Sequence, residues 1–153
     1  MSEQIRTEIR ISSTPARVWG ILTDFARYTE WNPFILKVDG DVRPGAVVPY
    51  RFEFPRGIRL WAHARILRLE AEKELRWAAH FLSPSIFNGE HYFTIARDFG
   101  SHCEFHHGEI FTGLTLPIAW PVIRTFGPQV YGSLNEALKR RAEASPPDNT
   151  ECA

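Results

Sequence analysis

Residues 86–111 read IFNGEHYFTIARDFGSHCEFHHGEIF, two strand-like runs joined by Asp98, Phe99, Gly100 and Ser101. In the first run Phe87, Gly89, His91, Phe93 and Ile95 share one parity, and Asn88, Glu90, Tyr92 and Thr94 the other. A strand with one buried face has this period of two, so the apolar parity points inward. In the second run the same test puts Cys103, Phe105, His107, Glu109 and Phe111 inside and leaves His102, Glu104 and His106 outside. A short turn makes the runs antiparallel neighbours, and the parities agree only if His91 stands opposite His107 or Glu109. Two imidazoles and a carboxylate then share one wall of an apolar interior.

Upstream of this hairpin the same alternation recurs. Leu75, Trp77, Ala79 and Phe81 share one parity; before them come Leu60, Ala62, Ala64 and Ile66, then Val48, Tyr50, Phe52 and Phe54. Turn residues separate the runs: Glu72 and Lys73, Pro55 to Gly57, and Pro44 with Gly45. Phe34 to Val38 reads as a further strand, and Ile5, Thr7, Ile9 and Ile11 give a clear first one. Between these two, Ser13 and Thr14 precede Pro15, an N-cap followed by proline at the first helical position, so a helix is expected over 15–23. A short second helix fits Phe25 to Trp31, because Pro33 forces Asn32 out of helical conformation.

Downstream, Ile118, Val122, Phe126, Val130, Leu134 and Leu138 recur at every fourth residue, the stripe expected of a long amphipathic helix kinked at Gly127 and Pro128. From Ser145 to Ala153 apolar periodicity stops, and a disordered tail is expected there. Residues 1–144 then form a single domain.

Composition bounds the partners. Eighteen basic and eighteen acidic residues cancel, so no global field attracts nucleic acid or an anionic membrane, and no apolar run approaches a membrane span. Cys103 and Cys152 make a disulfide framework an unsuitable reading, and the charged Met1 to Arg10 stretch lacks a signal-peptide core. A cytoplasmic location is expected, without nucleic acid and without integral membrane association. Protein partners are undefined by the sequence.

The order of elements, with Ser13-Thr14-Pro15 opening the first helix, Trp31-Asn32-Pro33-Phe34, Gly89-Glu90-His91, and Glu109-x-Phe111-x-Gly113 before the last helix, resembles the SRPBCC or START-like superfamily, in its polyketide cyclase/dehydrase-like branch. The resemblance covers residues 3–144 and implies an α+β helix-grip fold: a curved antiparallel sheet of about seven strands wrapped around a long C-terminal helix, with two short helices after the first strand. It also implies a deep hydrophobic cavity that takes lipids, polyketides, plant hormones or quinones. No fixed catalytic set travels with it.

Inward aromatic and aliphatic positions are the candidate ligand contacts: Tyr50, Phe52, Phe54, Trp77, Phe87, Phe93, Phe105, Phe111, Phe126 and Val130. His91, His107 and Glu109 are the candidate acid/base set. They match a metal triad in residue type, but no spacing signature accompanies them, so neither metal nor cofactor is expected. The same three residues also fit a satisfied polar patch in a wet cavity. Three functions follow: carriage of a small hydrophobic or amphipathic molecule, a cyclase or dehydratase using the His/Glu wall, or an interaction module marked by outward Trp61.

Overall fold

The computed structural model describes residues 1–144, so the expected disordered tail at 145–153 lies outside the described residues. Seven strands form one antiparallel sheet: β1 (Ser2–Ile11), β2 (Ile35–Val38), β3 (Val47–Phe54), β4 (Ile58–Glu70), β5 (Glu74–Phe81), β6 (Phe87–Asp98) and β7 (Cys103–Thr112). Their order is β1-β7-β6-β5-β4-β3-β2, which puts the β6–β7 hairpin inside the sheet with a partner on each side. Every neighbour pair except β1–β7 is also consecutive in sequence, as the short turns require.

The first helix, α1 (Pro15–Thr23), begins where expected, with the Thr14 hydroxyl accepting from the Arg17 amide at 3.3 Å. The second short helix follows as a 3-10 helix over Phe25–Glu30. Asn32 then turns the chain: its Oδ1 accepts from the amides of Phe34 at 3.0 Å and Ile35 at 2.8 Å. These bonds delay β2 to Ile35, one residue past the expected start.

A single long helix, α2 (Leu116–Glu143), carries Pro121 and Pro128 inside it. Its buried face differs from the expected stripe. Leu116, Tyr131, Leu134, Leu138 and Ala142 are buried, whereas Ile118, Val122 and Phe126 are 82%, 60% and 44% exposed. Each residue turns a helix by about 100°, so an every-fourth-residue series drifts by about 40° per step and about 200° from 118 to 138. The buried series instead mixes steps of three and four, through partly buried Trp120 and Ile123 to Tyr131. Gly127 sits on this face because a β-carbon there would lie 2.1 Å from Ile5 Cδ1 of β1.

The core lies between the sheet's inner face and the second half of α2, and it includes Trp77, Phe93, Phe105, Leu75, Ile66 and Leu134, each with at most 2% of its surface exposed. Leu60 and Phe54 depart from the inward reading at the β3–β4 end, where they are 45% and 39% exposed. Trp61, also exposed, lies under the Arg51 guanidinium at 5.4 Å, so a neighbouring side chain accounts for it. Among the described residues no helix is long and apolar enough to cross a membrane.

Candidate functional site

The hairpin register places His91 opposite Glu109 and Phe93 opposite His107. All four face the interior, and His91 and His107 are 4% and 0% exposed. Side chains on adjacent strands then come within contact distance. His91 Nε2 meets His107 Nε2 at 2.7 Å, and His91 Nδ1 lies 3.3 Å from Glu109 Oε2. The three candidate side chains are therefore brought together.

Three residues outside that trio extend it into a chain. Asn135 of α2 meets His107 Nδ1 at 2.8 Å through its Oδ1, and its Nδ2 donates to Thr7 Oγ1 at 2.8 Å. Thr7 donates its one hydroxyl proton to the His107 carbonyl at 2.7 Å. At the other end the Tyr131 hydroxyl donates to Glu109 Oε2. Tyr131 and Asn135 are four residues apart and so share a helix face. A search for apolar periodicity passes over this pair, though two polar groups on a buried face were the signal that could have found it. Thr7 was visible on the inward parity of β1.

The chain has a determinate direction. A carbonyl can only accept, so Thr7 is a donor there and must accept from Asn135, which turns the Asn135 carbonyl toward His107. His107 therefore carries its proton on Nδ1 and presents a bare Nε2, and His91 donates from Nε2. His91 Nδ1 then faces Glu109 Oε2. Burial, with the His91 charge second, pushes His107 well below the usual histidine range, which keeps it neutral. Burial, followed by Glu109, pushes the Tyr131 phenol well above its usual value, and it remains a donor.

Glu109 is the outer end of the chain, with its side chain 16% exposed. Its Oε1 lies over Gly89, where a β-carbon would stand 2.0 Å away. Aromatic rings surround the rest. Phe34 stacks on His91 at 6.2 Å and leans on Tyr131 at 5.7 Å. Trp77 and Phe93 flank His91 at 5.4 and 4.8 Å, and Tyr50 stacks on Phe52 at 5.1 Å. Burial and, second, Glu109 raise the Tyr50 phenol. Trp77 Nε1 is buried without a hydrogen-bond partner among the described residues.

Other candidate contacts stand further off. Phe105 is wholly buried behind His107, Phe87 and Phe111 pair at 6.0 Å toward Trp120, and Val130 is partly buried. Phe54 touches Phe52 and Phe34 at the edge, and Phe126 is exposed on α2. A concavity of about 500 Å³ opens elsewhere, between Trp19, Thr23 and Phe25, the 40–42 loop, and Leu69 with Ala71. On the outer face, Glu8, Glu104 and His106 converge with metal-ligand spacing. There Arg6 donates to His106 Nδ1 at 3.2 Å and His106 Nε2 donates to Glu104 at 2.9 Å, which leaves the imidazole no lone pair for a cation.

Solved structures share this architecture. A START superfamily protein from Mycobacterium smegmatis superposes with a TM-score of 0.73 at 16% identity, covering 92% of this chain and 97% of that one. The Zhui aromatase/cyclase from Streptomyces sp. R1128 superposes with a TM-score of 0.70 at 14% identity, covering 92% and 94%. The di-domain ARO/CYC BexL from the BE-7585A biosynthetic pathway gives a TM-score of 0.71 at 16% identity over 95% of this chain, which spans 51% of that longer protein. At these identities the likeness is one of fold. No curated protein sequence matches the chain. The family model described as polyketide cyclase / dehydrase and lipid transport matches residues 2–143, and the chain belongs to that family.

Proposed function

We propose that the interior between the sheet and α2 binds a small hydrophobic or amphipathic molecule of the lipid, polyketide or quinone kind. The carrying observation is the unpartnered Trp77 Nε1, a buried donor among the aromatic rings that flank His91. A buried N–H without an acceptor is costly, and a ligand oxygen relieves that cost. Tyr50, Phe52, Phe34 and Phe93 supply the apolar surround, and Glu109 supplies a polar end for a head group. Native mass spectrometry after gentle purification, paired with displacement of a hydrophobic dye, tests this reading. Co-purified small molecules and dye uptake that Trp77→Phe weakens support it; no ligand and no dye uptake sinks it.

The proton wiring favours a second reading, a cyclase or dehydratase. Glu109 would take a proton from the carbon beside a substrate ketone; the enolate carbon would attack a second carbonyl of the same molecule. Glu109 would then return the proton to the new alkoxide, and water could leave later. His91, held by His107 and Asn135, would stabilise Glu109 in each state. Glu109→Gln separates the readings: turnover would fall by about 10²–10⁴ under catalysis, while apolar ligands would still bind.

A further inference from the structure

One end of the sheet gathers the amino end of β1, the β3–β4 and β5–β6 connections, and the start of α2. The register puts Ser2 beside Thr112 and Phe81 beside Phe87, and the amides of Leu114 and Thr115 bond the carbonyls of Ser85 and Ile86 at 2.9 and 3.1 Å. At this end the large apolar side chains face solvent. On the connections Ile58, Phe81, Leu82 and Leu114 are 54%, 67%, 79% and 78% exposed. Ile118 and Val122 continue the row along α2. Leu82 also holds a left-handed backbone with φ 61°, an uncommon conformation for leucine that projects its side chain from the turn.

Arginine outnumbers acid at this end. Segments 54–69, 81–89 and 110–135 contain no Asp or Glu, in a protein with eighteen acidic residues. They carry Arg56 and Arg59 at the β3–β4 turn and Arg124 on α2. Of the acidic neighbours, Glu53 is bound by Arg59 at 2.6 Å, and Glu3 flanks the row from β1. A second copy of this chain would bring arginine against arginine, whereas the phosphates of an anionic bilayer complement them. Apolar side chains projecting from separate turns, with cations beside them, match a deformable lipid interface better than a rigid groove ligand.

We propose that this end of the molecule is a peripheral docking surface for anionic lipid bilayers, with Leu82, Leu114, Ile118 and Val122 entering the interface and Arg56 and Arg124 meeting phosphate. The surface is independent of whether the interior holds a ligand. Flotation with vesicles of phosphatidylcholine and phosphatidylglycerol in equal parts, against vesicles of phosphatidylcholine alone, tests it. The wild-type chain should float with the anionic vesicles at low salt and release at high salt. Leu82→Asp and Ile118→Asp should each lower the partition coefficient about tenfold. Both side chains are exposed, so thermal melts of these variants should match the wild type. Phe99→Asp, at the opposite end of the sheet, should float unchanged. Absence of wild-type flotation overturns the proposal, as does flotation that survives both aspartates. Light scattering that finds a dimer broken by Ile118→Asp also overturns it, assigning the face to self-association.

Discussion

His107 and Asn135 are joined by a 2.8 Å hydrogen bond across the gap between β7 and α2, and this bond sets which nitrogen of a buried imidazole carries the proton. The bond orients the whole chain out to Glu109. Nitrogen NMR should find His107 protonated on Nδ1 and bare on Nε2, with His91 protonated on Nε2. Asn135→Leu should remove that preference and cost about 1–3 kcal/mol, because the His107 donor and the Thr7 hydroxyl lose their partner. An unchanged tautomer in the variant would refute the wiring.

Stability should fall in acid through His107. Its folded-state value is depressed below 6.5, so the unfolded chain binds a proton there that the native state excludes. Stability is then fully present above the unfolded value and declines as pH drops below about 6.5, by up to about 1.4 kcal/mol per pH unit. Denaturant melts of the wild type and His107→Gln across that window check this: the variant should lose one proton's worth of slope.

Leu134→Ala should cost about 2–5 kcal/mol, since Leu134 is fully buried where α2 meets the sheet. Ile118→Ala, on the exposed side of the same helix, should stay within about 0.5 kcal/mol. Equal costs in chemical denaturation would mean that the two halves of α2 are buried alike.

Gly89→Ala should disturb the site more than the fold. The added methyl meets the end of the flexible Glu109 side chain, which can swing away. Thermal stability should change little, while the Glu109 contact to His91 is lost and the histidine spectra move. Unmoved histidine signals would show that Glu109 keeps its place.

The hairpin at 86–111 was legible because its chemistry is local: period-two alternation fixes which side chains share a face, and a short turn fixes the partner strand. His91, His107 and Glu109 could be named together from that alone, and Thr14 with Pro15 marked the first helix by local hydrogen bonding. What needed the tertiary structure was the face that each element turns to another. The every-fourth-residue stripe on α2 is buried at Leu134 and Leu138, but helical geometry rotates Ile118, Val122 and Phe126 away, and Gly127 with Tyr131 and Asn135 shares the contact. Tyr131 and Asn135 lie 22 and 28 residues from the groups they bond, and Thr7 lies 128 from Asn135. Short-range pattern carries no information about such pairs; they exist because α2 folds back across β1 and β7, and that packing alone orders the buried protons.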